Sequence, residues 1–200
     1  LALFCWSLAV TVAIAAPESY DGMVARLKSG DAAVDFRALR DAYAESMSYQ
    51  PYDAARDELK RSLHDAFNAQ DCTKVQAAAG QVLNEIYIDI EAHLLSARCF
   101  ELGGEQAKAD FHRVIAKGLM DSIVASGDGK TTKTAFVVVA IDEEYAVLSA
   151  LRWRLADQSL IEEDGHSFDR MNVKSVNSED MAVLFFQIDR PMNWLPHSLS

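Results

Sequence analysis

The sequence predicts an α+β protein, in which tetratricopeptide-like antiparallel helical hairpins are followed by a small, mainly antiparallel β-sheet. In residues 36–123 the apolar residues recur every three or four positions, which is the period of helices that bury one face. After residue 126 they gather in short runs rich in β-branched and aromatic side chains, which favour strands. Of the 200 residues, 50% are hydrophobic and 24% are charged, a balance typical of a globular chain.

Residues 1–16 are predicted to be a secretory signal peptide. The run is apolar, carries no charged side chain, and ends in Ala13-Ile14-Ala15, a pattern of small residues that signal peptidase accepts. It is shorter than the roughly 20 residues that a membrane-spanning helix needs. We therefore expect a periplasmic or secreted protein that has no stable membrane insertion after the signal is cleaved.

Residues 17–125 are predicted to form a helical, repeat-like part with five helices. Asp35 is the candidate N-cap of the first helix, which should end before Pro51; the second starts from Asp53, and Asp89 opens the fourth. The apolar faces consist of Phe36, Leu39, Tyr43 and Met47; Ala55, Leu59, Leu63 and Phe67; Val75, Ala79, Val82, Leu83 and Ile86; Ile90, Leu94, Ala97 and Phe100; and Ala107, Phe111, Ile115 and Leu119.

The last two helices match a tetratricopeptide unit. Ala97, Phe100, Gly104, Ala109 and Ala116 stand at intervals of three, four, five and seven, where that repeat places its small and aromatic residues. Small residues at these positions allow paired helices to approach closely, so the pattern indicates packing and not chemistry.

Residues 126–200 are predicted to form an α+β cap that packs on the helices as one continuous body. We expect a buried strand over residues 135–141, a short helix over 142–151, and a further strand over 181–189. Between them, Asp164-Gly165 predicts the turn of a hairpin, because both positions tolerate a positive φ.

Several short strings spread along the chain resemble the bacterial domain-of-unknown-function family 4919. They are FRALRDAY (36–43), YQPYD (49–53), IEAH (90–93), AKGL (116–119), SGDGKT (126–131), EEYA (143–146) and QSLIEEDGHS (158–167). The resemblance covers residues 34–195. It implies a secreted or envelope protein with repeat-like helices, and it transfers no activity and no catalytic residue.

Charge and motif spacing exclude several classes of partner and cofactor. A formal net charge of -11 repels phosphate backbones, so we expect no nucleic-acid partner. The string GDGKT follows a helix and precedes a strand, the reverse of a phosphate-binding loop. No two histidines stand four residues apart, so we predict no metal site and no cofactor. His93 and His112 lie on neighbouring helices, where we expect a hydrogen bond between them.

Cys72 and Cys99 are the cysteines that remain after removal of the leader. They lie at the start of one helix and near the end of the next, where stacked antiparallel hairpins bring such positions together. One disulfide is sterically feasible and would persist outside the cytosol. Two separate buried thiols are the alternative.

Two hypotheses on function come from the sequence. The first is a non-enzymatic module that binds an unknown peptide, protein or cell-wall fragment. Its candidate contacts are Glu91, Leu94, Arg98 and Glu101 on the fourth helix, together with Asp128. The second is a small hydrolase with His166 at the hairpin tip as its base. Its acidic partner would be Asp169 or a carboxylate from Glu143 or Glu144.

Overall fold

A computed structural model describes residues 18–198, with side chains described through residue 194, so the predicted signal peptide lies outside the described residues. The helices are Tyr20–Lys28 (α1), Phe36–Ala44 (α2), Ala54–Asn68 (α3), Cys72–Glu85 (α4), Ile90–Leu102 (α5), Gln106–Val124 (α6), Ile141–Ala150 (α7) and Asp189–Ser198 (α8). The strands are Phe136–Val137 (β1), Trp153–Glu163 (β2), His166–Ser175 (β3) and Met181–Gln187 (β4). This order confirms the predicted α+β class, with helical hairpins before the sheet.

Aspartate side chains begin several of the helices. The carboxylate of Asp35 accepts hydrogen bonds from the amides of Arg37 and Ala38 at 2.9 and 3.1 Å, which confirms it as the N-cap of α2. Asp53 and Asp89 cap α3 and α5 in the same way. Each cap satisfies a backbone donor that has no partner within the helix, and so fixes the residue where the helix starts.

The sheet has the strand order β1-β4-β3-β2 and is mixed. β2 pairs with β3 and β3 with β4 in antiparallel fashion, whereas β1 runs parallel to β4. Asp164 and Gly165 join β2 to β3 with φ angles of 52° and 81°, which confirms the predicted hairpin. Only residues that tolerate the left-handed region make so short a connection.

Buried side chains of the helices and the sheet form one apolar cluster. Leu39, Leu119 and Ile123 contribute from the helices, and Met171 and Phe186 contribute from the sheet. Helix α7 lies between the two parts, because it contacts both α5 and β2. This placement brings the first turn of α7 beside α3 and α5, where the candidate site lies.

A disulfide joins Cys72, the first residue of α4, to Cys99 in the last turn of α5. Their α-carbons are 5.2 Å apart, within the range that a disulfide spans. The bond therefore links successive helical hairpins.

Helix α1 is an element that the apolar pattern did not predict. Ser19 caps it, and Tyr20, Met23 and Leu27 form its buried face. The hydroxyl of Tyr20 accepts a hydrogen bond of 2.8 Å from the amide of Tyr87. The helix has only nine residues, too few for its period to stand out from the polar sequence around it.

Met47 was predicted on the apolar face of the first helix, and this prediction was wrong. Helix α2 ends at Ala44, and Met47 is fully exposed beyond it. The hydroxyl of Ser46 donates to the carbonyl of Tyr43 at 2.8 Å, which closes the last turn before Met47 is reached.

The predicted strand over residues 135–141 is shorter than expected. Only Phe136 and Val137 belong to β1. At Val139 the amide donates to the Glu143 carboxylate at 2.8 Å, and the carbonyl accepts from the Tyr49 hydroxyl at 2.7 Å. Since these side chains take the hydrogen bonds that a strand would need, the segment leads directly into α7.

Candidate functional site

A groove of about 560 Å³ opens where α3, α5, α6 and α7 meet, and it is called here the α3–α5–α7 groove. One wall carries the charged and polar side chains of Asp57, Lys60, Arg61, His64, Glu91 and Asp142. The rest of the lining includes the apolar and aromatic side chains of Ile90, Leu94, Met120, Tyr145, Ala146 and Ala150. A concave surface that combines an apolar part with a few convergent polar groups is the usual form of a binding site.

Local helix geometry places the charged wall. Asp57, Lys60 and His64 stand three and four residues apart on α3, so they share one face of that helix. Glu91 lies in the first turn of α5, and Asp142 lies in the first turn of α7. Carboxylates at helix N-termini are stabilised by the helix dipole, so both positions suit acidic residues.

Lys60 is the centre of the charged wall. Its ammonium lies 2.7 Å from the Asp89 carboxylate, 3.1 Å from Glu91 and 3.5 Å from Asp142. Glu91 also accepts from Nε2 of His64 at 2.9 Å. The Lys60 side chain is only 12% exposed and that of Asp89 only 1%, whereas those of Glu91 and Asp142 are 42% and 48% exposed. The two more exposed carboxylates therefore face the groove.

The pKa values of these groups are shifted by burial and by one another. Burial alone would lower the pKa of Lys60, but the carboxylates of Asp89, Asp142 and Glu91 outweigh it and raise that pKa. Partial burial, which would raise the pKa of Glu91, is outweighed by Lys60 and His64, so that pKa is lowered. The pKa of Asp142 is raised by partial burial, although the attraction of Lys60 lowers it and outweighs the repulsion from Asp89 and Glu91.

The apolar part of the groove is open to solvent. Leu94 is 49% exposed and Tyr145 is 47% exposed, while Met120 and Ala146 are half-buried beside them. Large apolar side chains that stay in water lose the free energy that burial would supply, about 25 cal/mol per Å². A ligand that covers Leu94 and Tyr145 would recover it.

A smaller cavity of about 290 Å³ continues the groove past the N-terminal ends of α3 and α7. It shares Asp57 and Asp142 with the α3–α5–α7 groove, and Pro51 and Tyr52 lie in its lining. The two spaces form a track in which the shared acidic side chains lie between Leu94 and Met120 in one space and Pro51 and Tyr52 in the other, and the smaller cavity is also lined by Asp53 and Arg56.

The structure brings two of the predicted binding residues to the groove. Glu91 and Leu94 line it. Arg98 and Glu101 form an ion pair at 3.1 Å farther along α5 and are not part of the lining. Asp128 lies in the loop after α6 and pairs with Lys130 at 3.1 Å. Its pKa is lowered to about 2, first by a hydrogen bond with Thr134 and then by the Lys130 amide.

The candidate catalytic residues lie in three separate environments. Nδ1 of His166 lies 2.6 Å from the carboxylate of Asp189, which also accepts the amide of Ser167 at 2.7 Å. Glu143 is bound to Arg40 at 2.7 Å. Asp169 is buried and faces Glu144, whose carboxylate oxygens make no hydrogen bond to the described residues. The acidic partner of His166 is therefore Asp189, which the sequence did not suggest.

His93 and His112 form the expected contact between α5 and α6. Their Nδ1 atoms are 2.9 Å apart, and Nε2 of His93 lies 2.9 Å from the carbonyl of Tyr87. A carbonyl only accepts, so His93 carries its proton on Nε2 and accepts at Nδ1 from His112. Within residues 18–198 no group of three or more His, Cys, Asp or Glu side chains is arranged to hold a metal ion.

Sequence analysis did not select four further residues that line the groove, which are Lys60, His64, Asp142 and Tyr145. Their signal in the sequence is weak, because charged residues on a helix face usually contact only solvent. The spacing of Lys60 and His64 on α3 was available, but their carboxylate partners come from α5 and α7.

A comparison with protein families shows which family the chain belongs to. The family described as "Domain of unknown function (DUF4919)" matches residues 13–196, nearly the whole sequence. The chain belongs to this family. Comparisons with curated proteins and with solved structures found no match to this DUF4919 chain. In the part of it that the structure describes, no helix has the length and apolar character to cross a membrane.

Proposed function

We propose that this DUF4919 protein is a non-enzymatic binding module of the envelope or the secreted fraction, whose ligand lies in the α3–α5–α7 groove. The ligand would be a segment of peptide or protein, or a cell-wall fragment. One observation carries the proposal: exposed apolar side chains, Leu94 and Tyr145, and an ordered charged wall line the same groove of about 560 Å³. Such a surface buries apolar area and selects a ligand by charge.

The envelope or secreted location is supported by two features. The apolar leader resembles a signal peptide, and the Cys72–Cys99 disulfide suits an oxidising compartment. N-terminal sequencing of the protein from its source organism tests this part. A start at residue 16 or 17 is expected, and an intact leader would contradict it.

The hydrolase alternative has less support. Asp189 ties His166 to the start of α8, and the carboxylate of Glu143 is bound to Arg40. His166 does not line the α3–α5–α7 groove. A ligand in that groove would therefore meet the charged wall and not the imidazole of His166.

The experiment is a selection of peptides from a random display library on the mature protein, followed by measurement of dissociation constants by fluorescence polarisation. The Leu94→Arg variant blocks the groove with a long charged side chain. Leu102→Arg is the matched control, because Leu102 is also an exposed leucine of α5, at 63%, and does not line the groove.

We expect Leu94→Arg to weaken binding about tenfold or more, a loss of about 1.4 kcal/mol, and Leu102→Arg to leave it unchanged. Peptides that bind both variants as tightly as the wild type would show that the ligand lies elsewhere. A selection that yields no binder, together with no binding of soluble cell-wall fragments, would also contradict the proposal.

A further inference from the structure

The charges that line the α3–α5–α7 groove do not balance. The carboxylates of Asp57, Glu91 and Asp142 face it, and that of Asp89 lies behind them. The ammonium of Lys60 is shared among Asp89, Glu91 and Asp142, the guanidinium of Arg61 is taken by Glu58, and Nε2 of His64 is taken by Glu91. The groove therefore has an excess of negative charge.

The excess is accessible at Asp142 and Glu91. Their side chains are 48% and 42% exposed, and Asp142 lies farthest from Lys60, at 3.5 Å. The pKa of Asp142 is raised by partial burial, which the attraction of Lys60 does not fully offset. A cation that entered the groove would gain two or three carboxylates at once.

The shape of the track indicates where a positive charge would lie along the ligand. Leu94 and Met120 lie on one side of the acidic residues, and Pro51 and Tyr52 lie on the other, in the cavity that shares Asp57 and Asp142. A track that runs through two joined spaces suits an extended chain, which advances about 3.3 Å per residue and turns alternate side chains to opposite sides. A basic residue between apolar residues would match the track.

We infer that the groove binds an extended peptide segment, placing one Lys or Arg side chain against Asp57, Glu91 and Asp142 and a neighbouring apolar side chain on Leu94. The inference rests on the proposed function and names the chemistry of the ligand for that same groove. It excludes acidic peptides, which the excess carboxylates repel.

The test uses three random display libraries whose central position is fixed as Lys or Arg, as Met, or as Glu. Dissociation constants of the best peptide from each library are measured for the wild type at low and at physiological salt. The same peptides are then measured with Asp142→Asn and Glu91→Gln, which remove one groove carboxylate each. Asp157→Asn is the matched control, because Asp157 is an exposed carboxylate on β2, outside the groove.

We expect the basic peptide to bind about tenfold more tightly than the Met peptide, with an advantage that shrinks as salt rises. Asp142→Asn and Glu91→Gln should each reduce this advantage of the basic peptide over the Met peptide. Asp157→Asn should change neither affinity.

Each contrary result separates this inference from the proposed function. A Met or Glu peptide that binds as tightly as the basic one, and still loses affinity in Leu94→Arg, would contradict the preference for a basic side chain. It would leave the groove as the binding site. Direct binding of soluble cell-wall fragments to the wild type and not to Leu94→Arg, with no binding of any peptide, contradicts a peptide ligand but not a ligand in the groove. If no ligand depends on Leu94, both proposals fail.

Discussion

Glu143 and Glu144 are consecutive residues of α7, and both are buried, but only the carboxylate of Glu143 is paired. It accepts from Nε and Nη2 of Arg40, each at 2.7 Å, and from the amide of Val139 at 2.8 Å. The Glu144 side chain lies beside Asp169, and its oxygens have no hydrogen-bond partner among the residues that the structure describes. Neighbouring residues of one type therefore make opposite contributions to stability.

Replacement of Glu144 by Gln should remove a pH-dependent loss of stability. Burial, followed by repulsion from Asp169, raises the pKa of Glu144 from 4.5 to about 9. Between these values the unfolded chain has released the proton that the folded chain keeps, so the free energy of unfolding falls as pH rises. We expect Glu144→Gln to gain about 3 kcal/mol over the wild type between pH 4.5 and pH 7. Urea unfolding monitored by tryptophan fluorescence measures this difference, and parallel pH curves would contradict it.

Replacement of Glu143 by Gln should have the opposite effect. Arg40 is buried, and its guanidinium also donates to the carbonyl of Val137 at 2.8 Å. Loss of the Glu143 charge leaves the Arg40 charge without a counter-ion, which costs about 3 to 5 kcal/mol for a buried pair. The same urea experiment should show a lower midpoint with an unchanged slope. A variant as stable as the wild type would mean that the pair contributes no net stability.

His93 should make the protein less stable in acid. Burial lowers its pKa from 6.5 to about 3, while the bond to the Tyr87 carbonyl opposes that shift. Between these values the unfolded chain holds a proton that the folded chain does not, so the free energy of unfolding falls as pH falls. Relative to the non-titrating His93→Gln variant, the wild type should lose about 2 kcal/mol between pH 6.5 and pH 5. Equal losses in the two proteins would show that His93 titrates alike in both states.

Removal of the disulfide should destabilise the helical hairpins. The bond closes a loop with a sequence separation of 27, for which the loop-entropy estimate is about 3.5 kcal/mol. We expect this loss in the Cys72→Ala/Cys99→Ala double variant, measured by urea unfolding. A reducing agent should bring the wild type to the same value and leave the variant unchanged. A reductant that alters both proteins equally would indicate an effect unrelated to this bond.

Replacement of Lys60 by Met should destabilise the charged wall. Met keeps the length of the side chain but leaves the buried carboxylate of Asp89 without its ammonium partner at 2.7 Å. We expect a loss of about 3 kcal/mol, at the low end for a buried pair that loses one member. Lys74→Met is the control, because the Lys74 side chain is 74% exposed in its pair with Asp71 and such pairs contribute about 0 to 1 kcal/mol. Equal losses in the two variants would contradict the buried role of Lys60.

Only part of the candidate site could be predicted from the sequence. Glu91 and Leu94 were selected because they stand where tetratricopeptide modules contact extended peptides, and the structure places both in the groove. Arg98 and Glu101 share that helix but lie beyond the groove, because the part of α5 that lines it ends at Leu94. Helix periodicity indicates which face of α5 is exposed, but not where along it another element packs.

Local interactions let the sequence by itself determine the α+β class, the aspartate caps, the β2–β3 turn and the family. The backbone preference of Asp164-Gly165 and the capping by Asp35 act within four residues, so they are visible in the sequence. Only the tertiary structure decided which charges meet. Arg40 and Glu143 are 103 residues apart, and Lys60 and Asp89 are 29 apart. Such pairs depend on the packing of whole helices, because a small shift in register would exchange every partner along a helix face.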